Sequence, residues 1–160
     1  MTAPPYTKRD DMILKVELVP SSSWGNNLRN EANLSKAEWD KLRRQCYRDA
    51  HYKCEVCGGK GSKWPVECHE IWDYNDDTKV QTLKGLIALC PMCHKAKHLG
   101  FASTQGMEVF GFVLAHIAKI NDLSENDLME YVEKVFDQHS ERSQHKWALD
   151  LSWLGGRAGQ

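Results

Sequence analysis

Cys54 and Cys57 enclose two residues, Cys90 and Cys93 enclose two more, and 32 residues separate the pairs. Four thiolates spaced in this way can close a tetrahedral shell around zinc, with Zn–S near ~2.3 Å. A simple zinc ribbon needs no further ligands. Here His69 and Glu70 stand between the pairs, in "CHEIWDYNDD", and His94 and His98 follow the second pair directly. Residues four apart on a helix share a face, so these two imidazoles can hold one metal together. Cys46 and Cys68 belong to neither pair and are expected as small buried side chains. His51, His116, His139 and His145 stand alone and are expected at the surface or in packing.

The compartment decides how paired cysteines are read. No apolar stretch follows the charges of "MTAPPYTKRDD", so no secretory signal is expected and the cytoplasm is the expected location. In a reducing compartment CxxC pairs are metal ligands more often than disulfides. The run "VFGFVLAHIA" is interrupted and far short of the ~20 residues of a membrane span, so no membrane partner is expected.

With 160 residues, 41% apolar and 27% charged, the chain suits a single domain over 1–160 with a real core. The net charge of -1 is unevenly spread. Lys41 to Lys63 holds seven Lys or Arg against Asp49 and Glu55, whereas Asn121 to Asp150 holds eight acids against Lys134, Arg142 and Lys146. Two readings fit, a pair of solvated helix faces or a one-sided basic surface. In the second, Arg43, Arg44 and Lys63 are the candidate nucleic-acid contacts. The six tryptophans could stack on bases, though core packing accounts for most.

These residues need elements to position them. "MILKVELVP" alternates, with Leu14, Val16 and Leu18 on one face, and predicts a half-buried strand. "SSSWGNNLRN" reads as a turn-rich loop. Ser35 and Glu38 have capping-box spacing, and Trp39, Leu42, Cys46 and Ala50 mark the buried stripe of the helix that follows. "WPVECHEIW" and "GLIALC" read as strands. A helix from Pro91 to Gly100 uses proline at its start and glycine at its end. Further helices are predicted over Met107–Ile120 and, after a Ser124 cap, Glu125–His139. The tail "HKWALDLSWL" alternates again and predicts a strand that could pair with the N-terminal one.

The order "CEVC", "PVECHEIW", "LIALCPMCH", "HKAKH" resembles the zinc-containing branch of the HNH endonucleases, the ββα-metal nucleases, over about 39–100. The resemblance implies an α+β fold with a treble-clef-like ββα-metal core stabilised by structural Zn²⁺ at Cys54, Cys57, Cys90 and Cys93. The span 1–35 would be a strand and loop extension, and 105–160 a helical one. It further implies a catalytic divalent ion, Mg²⁺, Mn²⁺, Ni²⁺ or Zn²⁺, at His69, His94 and His98, with Glu70 where the family has its general-base His. Gly85 stands near the place of the family's middle asparagine. A register shifted by one residue makes His69 the base and Cys68 the metal neighbour. The implied activity is phosphodiester hydrolysis in nucleic acid, DNA before RNA, in the phage or bacterial-defence setting common to the family. The alternative is a catalytically inactive module that binds nucleic acid or a protein through the same scaffold.

Overall fold

The computed structural model describes residues 12–155. Helix α1 (Lys36–Asp49) carries the expected capping box, with Ser35 accepting from the Glu38 N–H and Glu38 reaching back to the Ser35 backbone. The hairpin β1 (Glu67–Asn75) and β2 (Val80–Leu89) is antiparallel, with a bulge between Ile71 and Trp72. Strand β2 starts earlier than "GLIALC" suggests because Gln81 and Leu83 are also buried, with exposed Lys84 beyond them. Then come α2 (Pro91–Lys97), α3 (Leu99–Ala102), α4 (Met107–Asn121), α5 (Glu125–Arg142), β3 (Ala148–Asp150) and α6 (Ser152–Gly155). The helix expected from Pro91 to Gly100 is broken at His98, whose backbone (φ -103°, ψ 49°) leaves the helical region and lets α3 start at a new angle. The result is an α+β fold with a three-stranded sheet in the order β1-β2-β3.

The two faces of the hairpin bury different cores. Strand residues alternate between faces, and cross-strand pairing keeps partners on the same one. His69 pairs with Ile87, which packs against the core cluster that includes Leu89, Cys93, Ala96, Val113 and Ile117. Cys68 pairs with Ala88 and Glu70 with Leu86, on the side of Leu28, Trp39, Cys46 and Leu83. Cys46 and Cys68 are buried there, as expected. Full burial of Leu14, Leu28, Leu89 and Leu99 contributes about 2 kcal/mol each.

The N-terminal segment differs from expectation in an instructive way. Met12, Leu14 and Val16 are buried and Ile13 and Lys15 exposed, so the alternation is real. Among the described residues, however, the segment joins no sheet. The Ile13 and Leu14 N–H groups both donate to Asn121 Oδ1 (2.9 Å each), and Asn121 Nδ2 donates back to the Leu14 carbonyl (2.7 Å). Val16 N–H donates to Tyr131 Oη (2.8 Å), and Glu17 N–H to the Lys97 carbonyl (3.0 Å). Side chains of α4 and α5 thus take the place of a neighbouring strand, and the chain lies as a strap across α2, α4 and α5. The tail does not pair with it either. Strand β3 pairs in parallel with the start of β2, Val80 with Ala148 through Thr82 with Asp150. The outer ends of the two extensions, 1–11 and 156–160, lie outside the described residues.

Because one amide side chain serves three strap groups, Asn121→Ala should cost about 2 kcal/mol through unsatisfied backbone groups. The expected fall in thermal midpoint is ~4–8 °C, read by circular dichroism. An unchanged midpoint would mean that the strap is held by burial alone.

Candidate metal centre

The four paired cysteines converge, with all four sulfurs within 4.8 Å of one another. Cys57 and Cys90 are 3.7 Å apart at sulfur, close to the ~3.8 Å edge of a tetrahedron with Zn–S of ~2.3 Å. The turn around the first pair is shaped for this. Gly58 is left-handed (φ 75°), the Cys57 N–H points at Cys54 Sγ (3.5 Å) and the Gly59 N–H at Cys57 Sγ (3.4 Å). The second pair repeats the device at the start of α2, where the Cys93 N–H faces Cys90 Sγ (3.4 Å). Gly61 lets the knuckle close down on α2, since a Cβ there would sit 2.2 Å from the Trp64 carbonyl and 2.7 Å from Pro91 Cδ.

The charge state of the sulfurs follows from crowding. The Cys93 thiol donates to Cys54 and pulls it down to about 4, against the cost of burial and with help from backbone N–H groups. The same bond, with burial, pushes Cys93 up, and burial also raises Cys90. Four such thiols can ionise together only around a cation, and the donor set, spacing and N–H···S bonds fit zinc. His116 departs from its expected role as a lone surface or packing residue. From α4 its Nε2 lies 3.1 Å from Cys93 Sγ, tying that helix to the cluster.

The three histidines also converge. Strand β1 supplies His69, α2 supplies His94, and the break after α2 supplies His98, with one ring nitrogen of each within 4.8 Å of the others. Ring centres are 5.4 Å apart for His69–His94, 5.1 Å for His69–His98 and 4.9 Å for His94–His98. Two carboxylates that the sequence reading missed orient the rings. Glu17 Oε2 from the strap lies 3.0 Å from His69 Nε2, and Glu67 Oε1 from β1 lies 3.0 Å from His94 Nδ1. A carboxylate that accepts from the facing ring nitrogen leaves the other nitrogen for a metal, the arrangement that fixes histidine as a ligand, and Glu17 and Glu67 are placed to act in this way. Burial, and then the charges of His69 and His94, hold His98 down to about 3, so this ring is neutral. Burial lowers His94 as well, against the pull of Glu67. Glu17 also takes Lys97 Nζ at 2.9 Å, so one carboxylate satisfies His69 and a buried lysine. Burial disfavours its charge, but these two bonds win and its carboxyl lies below the ordinary range.

Glu70 is not part of this cluster. Alternation turns it to the other face of β1, where its Oε1 accepts the Leu28 N–H (3.0 Å) and burial raises its carboxyl above the usual range. Cys68 faces the same way, toward Cys46. The basic candidates are likewise divided. Arg43 lines a cleft of ≈ 640 Å³ beside His94, with its Nε 2.9 Å from Asp40, whereas Arg44 and Lys63 are exposed and do not line it. A further arginine, Arg29, does line the cleft, with its guanidinium carbon 5.8 Å from the Trp39 ring centre. Its charge reaches Glu70, His94 and His98 alike. Arg29 lies in a loop closed by asparagines, Asn27 Oδ1 taking the Asn30 N–H and Asn33 Nδ2 donating to the Asn27 carbonyl, with Leu28 as its buried anchor.

In comparisons of the chain with protein-family models, curated proteins and solved structures, nothing matched. The arrangement is compatible with a zinc-binding module, and no helix among the described residues is long and apolar enough to cross a membrane.

Purified protein is expected to hold one tightly bound zinc per chain. A Cys57→Ser, Cys90→Ser double variant should lose it, and with it stability on the order of several kcal/mol, a fall of ~10 °C or more in thermal midpoint. An unchanged fold and thermal midpoint in that variant would show that the cysteines are four unligated thiols. At the histidines, Glu17→Gln should weaken Zn²⁺ or Ni²⁺ binding by ~10- to 100-fold, read by calorimetric titration of protein already loaded at the cysteine cluster.

Proposed function

We propose that the protein is a metal-dependent phosphodiester hydrolase of HNH type acting on nucleic acid, with DNA as the first substrate to test. The observation that carries this reading is the convergence of His69, His94 and His98, from the hairpin and the helix behind the second cysteine pair, with carboxylates set behind two of the rings. These are the positions at which the resemblance to HNH nucleases requires its ligands. Bound there, a divalent ion would supply Lewis-acid stabilisation of the charge that develops on a leaving 3′ oxygen.

The chain's own groups divide the remaining tasks. His69, His94 and His98 each bring one ring nitrogen to within 4.8 Å of the others. Arg29 and Arg43 line the adjoining cleft and offer positive charge to the phosphate backbone. Glu70, whose carboxyl burial raises, is the candidate acceptor for the proton of the attacking water.

One observation favours a second reading, an inactive module that binds nucleic acid or a protein through the same cleft. Glu70 is occupied by the Leu28 N–H and faces away from the three rings. As a base it would have to leave that bond or act from the far side of the strand.

Cleavage separates the two. In the first reading, Mg²⁺, Mn²⁺ or Ni²⁺ supports cutting of plasmid or labelled oligonucleotide, and His94→Ala abolishes it. Glu70→Gln then lowers the rate by ~10²-fold or more while ion affinity is kept, the loss expected of a general base. Arg29→Ala should reduce binding and its salt dependence, whereas Arg44→Ala should change neither. A wild-type protein inert with every ion on DNA and RNA, binding its partner as well as His94→Ala does, leaves the module reading.

A further inference from the structure

We propose that the cleft between α1 and the start of β1 seats an unpaired base of a single-stranded nucleic acid, with the indole of Trp64 as its stacking face. This rests on the reading of the neighbouring histidine site as directed at phosphodiesters, and it names the form of strand that site receives.

Trp64 is 51% exposed, and an indole in that position would ordinarily be free to reorient. Here its Nε1–H donates to Glu67 Oε2 at 2.8 Å, while the other oxygen of the same carboxylate lies 3.0 Å from His94 Nδ1. An exposed aromatic plane is thereby held in fixed relation to a candidate metal ligand by a charge-assisted hydrogen bond. Apolar burial does not explain the arrangement, because half of the side chain remains in water. A surface to which a flat ligand can stack does explain it.

The rest of the cleft suits the same ligand. Trp39 and Tyr47 add aromatic wall, and Arg29 and Arg43 bring cationic groups. Among the described residues Glu67 is the one carboxylate on the lining, and its two oxygens are engaged by Trp64 and His94, which limits its repulsion of a phosphate. The volume of ≈ 640 Å³ falls in the ~300–1,000 Å³ range of small-ligand sites. It accommodates a nucleotide and is far too small for a duplex. Bases within a duplex are already stacked, so they reach an aromatic side chain only when unpaired or flipped out. Stacking on Trp64 would place the neighbouring phosphate toward His94, on the side of the metal ligands. Every base has a π face, so recognition of this kind tolerates any sequence and is indifferent to the sugar.

The test is equilibrium binding of the full-length, zinc-loaded chain, by fluorescence anisotropy and without added divalent ion, so that turnover plays no part. The probes are a labelled single-stranded DNA of ~12 nucleotides, the RNA of the same sequence and the blunt DNA duplex. The single strands should bind ~10-fold or more tightly than the duplex. Trp64→Ala should weaken single-strand binding by ~10-fold, the scale of one lost stacking contact, and leave duplex binding unchanged. Trp64→Phe keeps a stacking face without the bond to Glu67 and should retain most of the affinity, which separates stacking from damage to the fold; unchanged zinc content in both variants checks the same point. Equal affinity for duplex and single strands, or single-strand binding that Trp64→Ala does not alter, overturns the proposal. Trp64-dependent single-strand binding by a protein that cuts nothing would sustain it and defeat the hydrolase reading. Cutting of duplex with no dependence on Trp64 would do the reverse.

Discussion

Four sulfur atoms within 4.8 Å of one another cannot all carry negative charge in a partly buried site unless a cation lies among them. That electrostatic requirement organises the molecule. The first cysteine pair lies on a knuckle after α1, and the second joins the end of β2 to the start of α2. One ion would therefore fix the direction in which α2 leaves the hairpin. With that direction set, His94 points back over β1 to the ring of His69, and the break at His98 brings the third ring to the same place. The Cys93–His116 contact extends the constraint to α4, and Asn121 on that helix extends it to the strap.

Desolvation is the second constraint on the site. His69 is 3% exposed and Lys97 only 7%, positions where a polar group without a partner is costly. Glu17 resolves both costs with one carboxylate, and Glu67 likewise engages two groups, the half-buried His94 and the exposed indole of Trp64. The rings of His69 and His94 are thus partnered before any ligand arrives, so their orientations are already in place for an ion.

Much of this was legible in the sequence, for identifiable reasons. Short-range spacing reports faithfully on neighbours in the chain. The two CxxC pairs, the Ser35–Glu38 box and the Ser124 cap are such cases, and each lies where its spacing places it; His94 and His98 also meet, although the helix ends between them. Alternation reports burial but not the partner. Met12 to Val16 alternate as a strand would, yet their hydrogen bonds go to Asn121 and Tyr131, more than 100 residues away, and no local pattern announces that. Glu17 and Arg29 were hidden for the same reason. Glu67 was not: it stands two residues before His69, so the period of a strand puts both on one face, a signal that the thiols and imidazoles nearby overshadowed. The same period places Glu70 away from the rings, where matching motif letters alone had set it beside them.

The strap changes what counts as the heritable unit. A segment cut at 39–100 would contain every cysteine and histidine of the two clusters, yet it would leave behind the carboxylate that orients His69 and neutralises Lys97. A buried ammonium stripped of its counter-charge is strongly destabilising. Recombination that moved only the motif-bearing stretch into another protein would carry the letters of the site without its electrostatics. Positions 17, 69 and 97 act as one electrostatic unit, so loss of the acid at 17 alone strands a buried ammonium, whereas joint loss of the acid and the lysine does not.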